Sequence, residues 1–262
     1  MLDLDNPISF TDKMQWLKLY DRKPIYTIMV DKFAVREYIS QTIGEEYLIP
    51  LIAVWNSVDE IDINLLPEKF VLKCTHDSGG VLLCKNKQQY NKESIKRFFE
   101  PRMKYNYYMH SREYAYKGVK PRIICEEYMT DESGIELKDY KVWCFNGKAE
   151  YVFLDYDRTT THHRNIYDTN WNQVPLTIND FYSDEQREFK KPEVLEQMIV
   201  VAERLSKDIP FIRVDFYVVN DRLYFGELTF FPGAGFQKFD PPEFANIFGD
   251  KLVLPINSMQ SD

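Results

Sequence analysis

The feature that most constrains the fold is a hairpin signature that recurs along the chain, twice behind a stretch of helical periodicity. Tyr140 to Phe145 and Ala149 to Leu154 are apolar-rich runs joined by Asn146-Gly147, a dipeptide that readily takes the left-handed conformations of a two-residue hairpin turn. Phe211 to Val219 and Arg222 to Leu228 form a second pair, joined by Asn220-Asp221 and preceded by a helical pattern from about Asp184 to Ser206. A third pair, Phe70 to Cys74 and Val81 to Cys84, flanks Gly79-Gly80, and helical spacing resumes from Asn91 to Met109 with a break at Pro101. Helix–strand–strand order repeated in this way predicts an α+β architecture with antiparallel sheets, arranged as two lobes facing a cleft.

The N-terminal stretch reads as helical. Ser9 or Thr11 can cap a helix whose apolar side chains are Met14, Trp16, Leu17 and Tyr20, and a second helical pattern runs from about Ile28 to Thr42 before Gly44. A further strand is expected at Arg122 to Met129. Residues 155 to 182 are polar, have no clear period and read as a long loop, the kind that tends to carry function. The expected division is a helical segment at 1–65, one α+β subdomain at 66–130 and another at 131–262.

Composition narrows the partners. Lys and Arg number 33 against 41 Asp and Glu, a net charge of −8, which disfavours a polyanion such as nucleic acid. Hydrophobic residues at 44% of 262 can fill a real core. Cys74, Cys84, Cys125 and Cys144 have no CxxC spacing and sit in apolar runs, so they read as buried thiols of a reducing compartment. No signal peptide or transmembrane segment is expected, because Asp3 and Asp5 open the chain and the longest apolar run, Tyr47 to Trp55, is too short to span a bilayer. The expectation is a cytoplasmic protein.

Three segments carry chemistry. In Arg213-Val-Asp215 and, across the hairpin, Glu227-Leu-Thr229, residues two apart share a strand face, so the turn brings all four together. Two carboxylates and a neutral oxygen suit Mg²⁺, and an adjacent arginine suits a phosphoryl group. The same four also suit a plain cross-strand charge cluster, and spacing alone does not choose. Lys73 ends a strand before Ser78-Gly79-Gly80, where a loop with little side chain lets backbone N–H groups approach phosphate oxygens. Ile123 to Met129 is an apolar strand ending in acids, suited to an adenine edge or equally to a core.

The order of these segments, together with Asp31-Lys32 and Asp139-Tyr-Lys141, resembles the ATP-grasp superfamily over roughly residues 30 to 235. The opening Asn6-Pro-Ile-Ser-Phe-Thr-Asp-Lys-Met-Gln-Trp-Leu-Lys-Leu-Tyr-Asp21, with Asp31-Lys32-Phe-Ala-Val-Arg36, looks more narrowly like the TupA-like, teichuronopeptide-biosynthesis proteins. That resemblance implies an ATP-grasp fold, two α+β subdomains enclosing a nucleotide cleft, with ATP and Mg²⁺ as cofactors. It implies phosphate contacts from Lys32, Lys73 and the Ser78, Gly79, Gly80 loop, an adenine pocket lined by Glu126, Glu127, Tyr128 and Met129, and Asp139 near the ribose. Asp215, Glu227 and Thr229 become metal ligands, Arg213 steadies the transferred phosphoryl group, and Lys141 reaches toward the γ-phosphate. Thr229 stands where many relatives carry Asn, which leaves one or two metal ions open.

The implied reaction is carboxylate–amine ligation through an acylphosphate, in assembly of a surface polysaccharide and in association with its other enzymes. A kinase on the same scaffold and a non-catalytic nucleotide-binding module are the rival readings. A glycosyltransferase is disfavoured, since no paired-Asp sugar-nucleotide motif stands out. For an anionic acceptor the candidate is the 155–182 stretch, where Arg158, His162, His163 and Arg164 gather; a solvated loop with incidental basic residues fits it as well.

Overall fold

The computed structural model describes residues 2–256, apart from 135, 159, 180, 182, 185 and 186. By its internal contacts the chain forms two compact units, Lys23–Met129 and a unit made of Met1–Arg22 with Thr130–Asp262. The first 22 residues hold helix α1 (Phe10–Tyr20), whose cap is Ser9: its hydroxyl accepts from Asp12 N while the Asp12 carboxylate accepts from Ser9 N.

Lys23–Met129 contains α2 (Ile25–Val30), α3 (Val35–Thr42), β1 (Leu51–Trp55), β2 (Phe70–Cys74), β3 (Val81–Cys84), α4 (Lys92–Met103), α5 (Tyr107–Ser111) and β4 (Ile123–Glu127). The strands form one antiparallel sheet in the order β1-β4-β2-β3. Alternation sends Phe70, Leu72, Leu82, Cys84, Ile123 and Cys125 to a core with Ile95 and Phe99 of α4. Burying each such large side chain contributes about 1.5–3 kcal/mol. Val71 and Lys73, the alternate residues of β2, face the other way.

The second unit contains β5 (Asp139–Phe145), β6 (Lys148–Tyr156), β7 (His163–Asp168), β8 (Thr177–Ile178), α6 (Leu195–Leu205), β9 (Phe211–Val219), β10 (Arg222–Thr229), β11 (Phe239–Asp240) and α7 (Phe244–Lys251). Five strands make an antiparallel sheet in the order β10-β9-β5-β6-β7, and β8 pairs with β11. Both expected turns form: Asn146 and Gly147, and Asn220 and Asp221, all have positive φ. α6 contacts β5, β6 and β9 through Met198, Val201, Ala202 and Leu205. On the sheet's other face, one end is aromatic. There Phe10 of α1 lies 5.5 Å from the Trp143 ring, 5.1 Å from Phe211 and 6.0 Å from Phe248 of α7. Cys74, Cys84, Cys125 and Cys144 are free and buried. Among the described residues no helix is long and apolar enough to cross a membrane.

Several expected elements differ. The pattern from Ile28 to Thr42 is two helices, broken at Asp31, whose carboxylate accepts from Phe33 N and Ala34 N and so holds the turn that leads into the second. Residues 1–65, expected to be helical, also hold strand β1. The helix expected from Asp184 starts only at Leu195. Pro192 disfavours helical backbone before it, and the carbonyls of Asp184, Arg187 and Phe189 accept from Asn165 and Trp171 side chains instead. The 155–182 stretch is not one loop, because β7 pairs with β6 within it. Its strand was masked by polarity: an edge strand with His163, Arg164, Asn165 and Asp168 among its six residues lacks the apolar alternation of an ordinary strand.

Candidate functional site

Register places the charged residues of the five-stranded sheet on one face. Glu227 lies opposite Asp215, Thr229 opposite Arg213, Lys141 opposite Asp215, and Asp139 opposite both Tyr217 and Asp155. Arg213 binds Asp215 through both oxygens, Nε to Oδ1 and Nη2 to Oδ2, each at 2.6 Å. Its Nη2 also reaches Glu227 Oε1 at 3.0 Å, and the Thr229 hydroxyl donates to that same oxygen at 3.4 Å. Lys141 Nζ sits among three carboxylates, 2.7 Å from Asp139 and 3.4 Å from both Asp155 and Asp215.

The electrostatics follow from burial and alternating sign. Burial alone would lower the Lys141 ammonium, but Asp139, Asp215 and Asp155 hold it above its ordinary value. Burial pushes the Asp215 carboxyl up, and Arg213 and Lys141 offset only part of that. Asp155 goes the other way: burial opposes its charge, yet Lys141 and Arg164 keep it well below the usual carboxylate range. The charge on Asp139, then burial, pushes the Tyr217 phenol well up.

The set Asp215, Glu227 and Thr229 fits a cation that takes few protein oxygens and completes its shell with water and phosphate, as Mg²⁺ does. Among the described residues, no group of three or more His, Cys, Asp or Glu is placed to enclose a metal, so a site here would depend on such outside ligands. Both Asp215 oxygens accept from Arg213, and a metal would take one of them over.

Of the residues expected to meet an acceptor, Arg164 is committed internally: Nε and Nη2 hold Asp155 at 2.5 and 2.7 Å. Arg158 is ion-paired with Asp139 while half its side chain stays open to solvent. His163 stacks on Tyr156, with centroids 5.4 Å apart, and His162 Nε2 lies 3.1 Å from Asp155. Asp155 is the hub that sequence reading missed. It lies two residues after buried Phe153, opposite Asp139, but one position past the strand expected at Ala149 to Leu154, where it reads as the start of a loop.

In the other unit, Lys73 Nζ donates to Glu126 at 2.6 Å, and Arg36 Nη1 donates to the second oxygen of that carboxylate at 3.0 Å. The sequence reading paired Lys73 with phosphate and left Arg36 out; antiparallel pairing of β2 with β4 puts Lys73 within reach of Glu126. Lys32 Nζ donates to the Asp77 carbonyl at 2.8 Å, beside the Ser78–Gly80 turn. Ser78 and Gly79 are exposed at the tip, Gly80 is buried. β4 ends at Glu127, which is exposed, and Tyr128 and Met129 follow it half-buried.

The model of the TupA-like ATP-grasp family matches residues 12–253, and the chain belongs to that family and has its fold. No curated protein matches it in sequence. Among solved structures it is similar to D-alanine–D-alanine ligase from Bacillus anthracis complexed with ATP, at 14% identity over 85% of this chain and 62% of that one, TM-score 0.45. It is similar to the Helicobacter pylori D-alanine–D-alanine ligase at 12% identity, 95% and 70% coverage, TM-score 0.47. A RimK domain ATP-grasp protein from Sphaerobacter thermophilus matches at 11% identity, 87% and 69% coverage, TM-score 0.45. The chain thus spans about six tenths of the first of these ligases.

Proposed function

We propose that the protein is an ATP-dependent carboxylate–amine ligase working through an acylphosphate. The observation that carries the reading is the gathering of Asp215, Glu227, Thr229, Arg213 and Lys141 on one sheet face. Mg²⁺ would be held by Asp215 and Glu227 with Thr229 beside them, and would neutralise phosphate charge when bound. Burial raises the Asp215 carboxyl even with Arg213 and Lys141 beside it, and a divalent cation would favour its charged form.

In this reading Arg213 and Lys141 present fixed positive charge to the γ-phosphoryl group, charge that matters most as the phosphoryl group transfers. An oxygen of the acid substrate bonds to the γ-phosphorus and ADP leaves. The amine then bonds to the acyl carbon, loses its proton, and phosphate leaves with the C–O electron pair. Lys73 and Lys32 contact nucleotide phosphates, as do Ser78, Gly79 and Gly80. Glu126 to Met129 meet the adenine and Asp139 the ribose. Arg158, with half its side chain in solvent, and His163 favour an anionic acid; Arg164 acts by holding Asp155. Residues 66–130 then carry the phosphate loop and adenine strand, and 131–262 the metal residues.

The family's name suggests a role in surface-polysaccharide assembly, and we propose that the protein works in the cytoplasm alongside the other enzymes of that assembly. A coupled phosphate-release assay, pairing hexuronic acids with amino acids under Mg·ATP, tests it. Release that requires both acid and amine is expected. Release with an acid or sugar alone would replace ligation with kinase or hydrolase chemistry, and none across the panel, with ATP bound, would favour a binding module.

A further inference from the structure

We propose that Asp77, which none of the roles above includes, is a positioning residue that presets the Ser78–Gly80 turn for nucleotide phosphates; this rests on the nucleotide reading just given. Asp77 is 1% exposed. Its Oδ2 accepts from Arg102 Nη1 at 3.1 Å, its main-chain carbonyl accepts from Lys32 Nζ at 2.8 Å, and its buried Oδ1 has no hydrogen-bond partner.

What Oδ1 does is occupy space under the turn. A Cβ built on Gly80 would lie 2.3 Å from Asp77 Oδ1 and 2.5 Å from Oδ2. Gly80 does not have the positive φ that would explain a glycine by backbone conformation, whereas Gly79 does, at 81°. With the carboxylate where it is, position 80 has no room for a side chain. The flanks are pinned as well: His76 Nε2 meets the Arg102 carbonyl at 3.0 Å, Thr75 Oγ1 donates to Lys120 O at 3.2 Å, and Cys74 N donates to Gly80 O at 2.8 Å. Only Ser78 and Gly79 project into solvent.

A buried anion beneath a turn meant for phosphates works against binding by charge alone. Its place is intelligible if its work is geometric, with Arg102 and Lys32 offsetting the charge. A turn already held in its bound conformation loses less entropy when a ligand arrives.

The experiment measures dissociation constants for Mg·ATP and for adenosine on wild type, Asp77→Ala, Asp77→Asn and Gly80→Ala. Adenosine has no phosphates, so a preset phosphate turn cannot matter to it. Asp77→Ala and Gly80→Ala are expected to weaken Mg·ATP by about tenfold or more and leave adenosine unchanged, while Asp77→Asn, which keeps the shape and the Arg102 bond, retains most of the affinity. The double variant Asp77→Ala/Gly80→Ala has room for the new methyl group and should recover the melting temperature lost by Gly80→Ala, without recovering Mg·ATP affinity. If ATP and adenosine weaken together, or neither weakens, Asp77 is structural only and the proposal is wrong. If Asp77→Ala does not fold, Gly80→Ala and Asp77→Asn give the same decision. Wild type that binds neither ligand refutes the nucleotide reading, and the proposal falls with it.

Discussion

Replacing Glu126 with Gln isolates the charge at the centre of the Lys23–Met129 sheet. The side chain keeps its length, so no cavity forms; what changes is that two charge-assisted hydrogen bonds, from Lys73 at 2.6 Å and Arg36 at 3.0 Å, lose their anion. The Glu126, Lys73 and Arg36 side chains are only 8%, 14% and 16% exposed, so water can replace little of the loss. A charge-assisted bond contributes roughly 1.5–3 kcal/mol net and a neutral one roughly 0.5–1.5, which puts the cost at about 2–3 kcal/mol for the pair. In a chain of this size that lowers Tm by roughly 4–12 °C. Urea unfolding followed by circular dichroism, with and without Mg·ATP, is the assay. Because Glu126 competes with phosphate for Lys73, the variant should lose stability without losing ATP affinity through that lysine. A variant as stable as wild type would show that solvent screens these pairs. One that unfolds normally but binds no ATP would show that the adenine contact assigned to Glu126 depends on its charge and outweighs its competition for Lys73.

Other expectations follow from the same geometry. Asp215→Asn and Glu227→Gln should each lower kcat in the phosphate-release assay by about 10²–10³ while Mg·ATP affinity changes far less; activity within a few-fold of wild type would remove the metal site. Asp155 has a depressed folded-state pKa, so its stabilisation is present above the unfolded value, near 3.9, and is lost as pH falls through the folded value. Asp155→Asn should therefore be less stable at neutral pH and lose less stability below about pH 4, read from acid titration of the fold. Gly249→Ala would place a Cβ 2.2 Å from the Ile8 carbonyl oxygen, a backbone atom that cannot swing away, and should cost about 1–3 kcal/mol or more by thermal melt.

The local signals that needed only neighbours in the chain were legible in the sequence. The Ser9 cap, the turns at Asn146-Gly147 and Asn220-Asp221, and the β2–β3 hairpin depend on residues a few positions apart, and all formed where expected. So did the meeting of Arg213, Asp215, Glu227 and Thr229, because one hairpin register fixes it. What pairs across distant strands was not legible. Nothing near Lys73 in sequence announces that β2 lies against β4, which is what gives it Glu126 as a partner. Asp155 looked like a loop residue because it lies just past the expected end of its strand at Leu154, and Arg164 because strand β7 hides its pairing behind polar side chains. Asp77 reads as one more turn acid until the fold buries it against Gly80 and Arg102. The sequence by itself determined the hairpins, their turns and the family; tertiary structure decided where polar strands and helix ends fall and which charges neutralise which, because an ion pair in a sheet depends on strand order, and strand order is set by packing across the whole unit rather than by local preference.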